Sequence, residues 1–211
     1  MVKIVPVINV KTRQDFEKRL HQLKKFNGLI QIDVADGQFT DWKNLQDISE
    51  IKRLKIKKDF ELHLMIKKPE LSLKDWLSLK PKRVFIQHEA INDSKLILRL
   101  CKEYKVELGL AFKPYTDLEV LKELVGEIKS VLLLGVEPGP SGQKFRYHVL
   151  DRIKELKKKY PKLILQLDGG VNEEVAQMAK EANVDELAMG SYIFKSDNPC
   201  TAITHLQEKL K

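Results

Sequence analysis

Residues 162–182 read KLILQLDGGVNEEVAQMAKEA, and the spacing of their apolar residues changes midway. In an extended chain successive side chains point to opposite faces, so Leu165 and Leu167 share one side and Gln166 and Asp168 the other. After the punctuation of Gly169-Gly170, apolar residues recur at three and four, the helical period, from Val175 to Ala182. Strand, glycine turn and amphipathic helix in that order make one βα unit.

The same unit repeats along the chain. Strand-like runs lie at 3–9, 29–35, 59–65, 83–89, 105–112, 130–136, 162–168 and 185–190. Amphipathic stretches follow them at 12–26, 69–79, 94–104, 117–125, 149–160, 172–182 and 198–211, and only the second connection, TDWKNLQDISEIKRLKI, is a weak helix. Eight alternations in 211 residues predict an α/β protein, a single (βα)8 TIM barrel over residues 1–211. A doubly wound open sheet fits less well, because no G-x-G-x-x-G follows the first strand.

Composition narrows the function classes. The N-terminal MVKIVPVINVKTRQ is charged too early for a secretory leader, and no apolar run approaches a membrane span, so a cytoplasmic protein without membrane contact is expected. Cys101 and Cys200 form no C-x-x-C pair and read as free thiols. The net charge of +8 comes from lysines at helical spacing with few aromatics between them, which suits solvated helix faces better than a nucleic-acid surface. Small anions would be attracted all the same.

In a (βα)8 barrel, chemistry belongs at the C-terminal ends of the strands. There the sequence places Gln31 and Asp33, Glu61 and His63, Gln87 and Glu89, Gln166 and Asp168, each pair two residues apart and so facing one way. A barrel interior built only for stability would carry branched apolar residues. Glu61 and Gln166, one layer deeper, read as structural, whereas Asp33, His63 and Asp168 taken together read as chemical. Three glycine-bearing loops follow the last three strands: EPGPSGQKF at 137–145, DGGVN at 168–172 and MGS at 189–191. Backbone N–H groups there can reach a phosphate, helped by the helix beginning near Asn172.

DVADGQF, LHLMIKKP, GLAFKP, VEPGPSGQKF, LDGGVN and MGSYIF, in this order across essentially the whole chain, resemble the ribulose-phosphate 3-epimerase family. The resemblance implies a barrel of the ribulose-phosphate-binding type and an isomerase of carbohydrate metabolism, in the pentose phosphate pathway, that interconverts ribulose 5-phosphate and xylulose 5-phosphate. In that family two aspartates move a proton at C3, and two histidines with the same aspartates hold a divalent metal. The matching catalytic residues are Asp33 and Asp168, and the matching metal ligands Asp33, His63 and Asp168. His63 also borders the substrate; Gly139, Pro140, Ser141, Gly142, Gly169, Gly170, Gly190 and Ser191 match the phosphate pocket. A phosphorylated sugar, no organic cofactor and a homo-oligomer are implied.

An acid and a base on opposite sides of a carbon are what inversion through an enediolate requires. Strands two and seven should hold their aspartates far apart, flanking the substrate.

The chain departs from the family at Gln31, where the family has a metal-binding histidine, and at Val7, Ala35, Gln87 and Leu134. Three readings follow, in this order: an epimerase with a weaker or different metal (zinc, manganese, magnesium or iron), an epimerase, isomerase or aldolase for another phosphorylated sugar, and a non-catalytic phosphosugar binder. Gln31 offers a metal only a carbonyl oxygen, so zinc affinity should fall, leaving the site empty or loosely held by magnesium or manganese. Alternatively its NH2 turns inward and stabilises charge directly.

Overall fold

A computed structural model of the chain describes residues 2–140 and 142–211. Its eight strands are β1 (Lys3–Ile8), β2 (Ile30–Ala35), β3 (Phe60–Met65), β4 (Arg83–Gln87), β5 (Glu107–Phe112), β6 (Ser130–Leu134), β7 (Ile164–Asp168) and β8 (Glu186–Met189). They pair in parallel in sequence order, and β8 returns to β1 to close the barrel. Around it lie α1 (Arg13–Gln22), α2 (Ile48–Arg53), α3 (Leu73–Leu77), α4 (Ser94–Tyr104), α5 (Leu121–Leu124), α6 (His148–Lys159), α7 (Glu173–Glu181), α8 (Ser191–Phe194) and α9 (Pro199–Lys209). No helix of the described residues is long and apolar enough to cross a membrane.

Strand parity sorts the interior. Ile30, Ile32 and Val34 join Leu62, Leu64, Leu165 and Leu167 in the large apolar layer between sheet and helices. Residues of the other parity point into the barrel, where they divide by layer. Midway along β4, β5 and β6 one layer of them is apolar, with Phe85, Ala111, Leu132 and Leu134 forming a small cluster of their own. Phe85 fills that layer so fully that a Cβ on Gly109 would stand 2.4 Å from its ring.

Polar residues fill much of the rest, β4 itself contributing Arg83 and Gln87 on either side of Phe85. Glu61, Arg83, Gln166 and Glu186 are buried in a layer deeper than the chemical residues. Arg83 Nε donates to Glu61 Oε2 at 2.9 Å, its Nη2 reaches both Glu61 and Glu186, and Gln166 Nε2 donates to Glu61 Oε1 at 2.7 Å. Burial pushes the Glu61 carboxyl up to about 7, against the opposing charge of Arg83. The structural role expected of Glu61 and Gln166 fits these contacts: one guanidinium fastens β4 to both β3 and β8.

The helices start where their caps dictate. Asn172 accepts from Val175 N at 2.8 Å, Asp93 from Leu96 N at 2.9 Å, and Asn198, ahead of Pro199, from Thr201 N at 3.2 Å. Several are shorter than their periodicity suggests. The amphipathic stretch 69–79 breaks into a 3-10 turn, Pro69–Leu71, and the five residues of α3. Of 117–125 only Leu121–Leu124 is α-helical, with Asp117 turning its side chain onto Glu119 N. Contrary to the expectation that Glu89 faces the barrel beside Gln87, β4 ends at Gln87, and Glu89 lies exposed in a 3-10 turn, where it accepts from Lys113 N.

Cys101 and Cys200 are free thiols, the first buried on α4 and the second partly exposed. Burial pushes the Cys101 thiol up to about 12. Iodoacetamide at pH 8 should therefore alkylate Cys200 in the folded protein and spare Cys101 until denaturant is added, as peptide mass spectrometry will read.

Candidate active site

Gln31, Asp33, His63 and Asp168 meet at the upper end of the barrel. Asp33 pairs in register with His63 across β2 and β3, and Asp168 arrives from β7. Contrary to the expectation that the aspartates stand far apart, inward side chains of a narrow barrel converge. Ligand atoms of Asp33, His63 and Asp168 all lie within 4.8 Å of one another.

Gln31 bridges the acids. Its Nε2 donates to Asp33 Oδ1 at 2.8 Å and to Asp168 Oδ2 at 2.7 Å. Only the NH2 end can stand there, since a carbonyl oxygen would face two carboxylates. This is the inward amide that one reading of Gln31 anticipated. His63 Nδ1 faces the same atoms, 3.3 Å from Asp33 Oδ1 and 3.5 Å from Asp168 Oδ2. On the far side of the ring, Gln87 Nε2 lies 2.8 Å from His63 Nε2.

The surroundings distinguish the two acids. Asp33 Oδ2 also accepts from Asn9 Nδ2 at 3.1 Å, and Asn9 is held in turn by Trp42 Nε1 and Asn44 Nδ2, each 3.1 Å from its Oδ1. Asp168 has no such clamp among the described residues. Burial raises its pKa, the charge of Asp33 adds to the rise, and hydrogen bonds from His63 and Gln31 oppose it. For His63, burial works to lower the pKa, but bonds to Asp168 and Asp33 outweigh it and lift it to about 9. The Gln87 contact pulls the other way, because an NH2 group can donate only to an unprotonated ring nitrogen. The contact decides, since a second ring proton would face a donor at a fully buried position.

The loops after β6, β7 and β8 bring the glycines to the same pocket. Gly139, Pro140, Gly142, Gly169, Gly170, Gly190 and Ser191 line it together with Asn9, Asp33, His63 and Asp168. Ser141 lies outside the described residues. Gly142 and Gly170 have φ of +92° and +71°, where an L side chain is strained. A Cβ on Gly170 would also press within 3.2 Å of the Phe145 backbone, whereas one on Gly142 meets none of the described residues within 4 Å. Val7, Met65 and Leu134 complete the lining toward the acids. Asn9 carried no sequence signal, since its partner Trp42 is 33 residues away.

Two carboxylates, a histidine and a bridging amide meet beside a glycine-lined cradle at the C-terminal end of a (βα)8 barrel, where enzymes of this fold keep their active sites. The chain belongs to the ribulose-phosphate 3 epimerase family, whose model matches residues 3–194. It is 32% identical over 187 residues to a ribulose-phosphate 3-epimerase of Helicobacter pylori (strain ATCC 700392 / 26695), covering 84% of each chain. With that of Bacillus subtilis (strain 168) it shares 29% over 217 residues, covering 98% of this chain and 99% of the relative. Among solved structures, KGPDC from Streptococcus mutans superposes with a TM-score of 0.75 at 10% identity, covering 99% of this chain and 97% of that one. The 3-hexulose-6-phosphate synthase of Salmonella typhimurium gives 0.74 at 14%, over 99% and 98%. At these identities the structural likeness concerns the fold.

Proposed function

We propose that the protein is a ribulose-phosphate 3-epimerase, interconverting ribulose 5-phosphate and xylulose 5-phosphate by proton transfer between Asp33, Asp168 and C3. The observation that carries this reading is the pair of buried, unequal carboxylates bridged by Gln31 beside a glycine-lined cradle. With the phosphate against the backbone at Gly142, Gly170 and Ser191, the carbon chain would extend toward the acids.

Asp33, positioned by Asn9, Gln31 and His63, takes the C3 proton, and the electron pair moves onto the C2 carbonyl oxygen to give an enediolate. Asp168, whose raised pKa suits it to hold a proton, delivers that proton to the opposite face of C3. The electron pair returns to carbon and the C2 carbonyl re-forms, so C3 is inverted, with its original proton left on Asp33 and a different proton, from Asp168, on the opposite face. Gln31 and His63 place N–H groups where negative charge accumulates.

The donor chemistry of Asp33, His63 and Asp168 suits a divalent metal, and these three would hold it. Gln31 does not join them as it stands, since it presents N–H and leaves its Oε1 buried without a partner among the described residues. When bound, the metal would supply positive charge to the enediolate oxygens.

A second reading, an epimerase, isomerase or aldolase for another phosphorylated sugar, is favoured by one observation: Val7 and Leu134, which line the pocket, stand in register with Gln31 and Asp168. Val7 and Leu134 are two of the positions where the chain departs from its family.

Incubation of ribulose 5-phosphate with the enzyme in deuterated water, with and without magnesium, manganese or zinc, tests the choice. Deuterium at C3 and the appearance of xylulose 5-phosphate are expected. Absence of both under every metal condition, with turnover of a different phosphosugar, would favour the second reading. The cradle has its own probe: Gly142→Ala should weaken inorganic phosphate binding by about tenfold, the equivalent of one hydrogen bond to a charged group. Calorimetry below the variant's own melting temperature, which the strain at φ +92° should lower somewhat, will read it, and unaltered affinity would place the phosphate elsewhere.

A further inference from the structure

Two fully buried glutamines touch the acid and histidine cluster, Gln31 at the acids and Gln87 at the far side of the His63 ring, and each has its NH2 group engaged and, among the described residues, a carbonyl oxygen with no partner. Gln31 and Gln87 are both 0% exposed. Neither Oε1 has a hydrogen-bond partner among the described residues. A buried carbonyl without a partner is costly, so this arrangement persists only because the NH2 ends make stronger bonds. Gln31 Nε2 stands between two carboxylates, and Gln87 Nε2 donates to the Nε2 lone pair of His63.

The second contact has a chemical consequence. With Nε2 accepting, the ring proton is on Nδ1, the nitrogen that faces Asp33 and Asp168. A cation among these groups needs the Nδ1 lone pair. The ring must then carry its proton on Nε2, and Gln87 must accept that proton with Oε1. A cation equally needs Gln31 to present oxygen in place of N–H. A half-turn of each amide satisfies both demands and gives each orphaned oxygen a partner: the cation for Gln31 and the His63 Nε2–H for Gln87.

We propose that Gln31 and Gln87 form a two-position amide latch, with Gln87 a positioning residue acting through the His63 tautomer, that decides whether the acid pair takes up a divalent cation. With both NH2 groups inward the site is held together by hydrogen bonds alone. With both oxygens inward it accepts the cation, and one proton moves from Nδ1 to Nε2 while the ring stays neutral. The latch rests on the reading of Asp33, His63 and Asp168 as the metal-holding groups, and it is tested without substrate.

Side-chain nitrogen NMR of the metal-free protein, assigned with His63→Gln, should show His63 protonated on Nδ1 with a free Nε2. Saturation with zinc should reverse the two nitrogens. Calorimetric titration with manganese should rank position 87 as Glu above Gln above Met, with steps of about tenfold or more, the usual weight of a partner that orients a ligating histidine. A carboxylate can only accept the Nε2 proton, whereas methionine has no donor and offers only a weak sulfur acceptor. If Gln87→Glu fails to fold, the Gln87→Met step and the wild-type spectra carry the decision. An Nε2-protonated ring in the metal-free wild type, equal manganese affinity across the folded variants, or no manganese binding to any of them would overturn the latch. Failure to turn over ribulose 5-phosphate would count against the proposed reaction and leave these spectra and affinities unaffected.

Discussion

Asp168→Asn and Asp33→Asn should each lower turnover of ribulose 5-phosphate by about a hundredfold or more, the usual contribution of a positioned acid or base. Both changes keep size and shape and remove only the capacity to carry the proton. Their consequences differ in detail. An amide at position 33 can keep its oxygen toward Gln31 or toward Asn9 but cannot take a proton from carbon. An amide at position 168 removes both the burial of a charge and the like-charge contact with Asp33 that together raise the Asp168 pKa. Asp168→Asn should therefore fold at least as stably as the parent while losing activity, whereas Asp33→Asn disturbs a residue with three side-chain donors. Steady-state kinetics with KM and kcat separated, beside a melting curve for each variant, checks this. Near-normal kcat in either would refute the two-carboxylate mechanism.

Arg83→Met should destabilise the barrel by roughly 3–5 kcal/mol, because it leaves Glu61 and Glu186 buried without their shared cation. The side chains concerned are all but inaccessible, at 6% for Arg83, 0% for Glu61 and 5% for Glu186. Urea denaturation should show a lower midpoint at unchanged slope. The loss should be greater at pH 8 than at pH 5. Glu61 already titrates at about 7 in the folded protein against 4.5 for the free side chain. The folded state thus binds the extra proton between these values, and stability falls as pH rises through them. Removing Arg83 raises the folded value further and carries the loss to higher pH. Replacing Glu61, Arg83 and Glu186 together by apolar residues of similar volume should recover most of the stability, since the desolvation of all three charges disappears with them. Equal stability of Arg83→Met and the parent at both pH values would show the cluster to be energetically silent.

The barrel was legible because its signal is repeated: eight switches from period two to period three and four are hard to produce in another fold. Helix ends were less legible, as in 117–125, where a local side-chain turn at Asp117 competes with the helix and periodicity cannot register it. For the site, parity alone placed Gln31, Asp33, His63 and Asp168 inward. Which of them touch depends on side chains reaching across the ring, so the bridging of both acids by Gln31 could not be read from spacing. Asn9 was invisible for the same reason, being one polar residue after an apolar strand whose partners come from a distant loop.

The guanidinium of Arg83 sets an order of events during chain synthesis. Its partner Glu186 lies 103 residues further on, and Gln166 reaches Glu61 across 105. Until β7 and β8 emerge from the ribosome, the first four strands carry a buried-type acid and base with half their contacts missing, and contacts of such sequence separation form late. A nascent half-barrel is thereby denied a comfortable resting state of its own. The ring can gain this part of its cohesion only once β7 and β8 have joined it, which ties the arrival of the glycine loops after those strands to the completion of the whole.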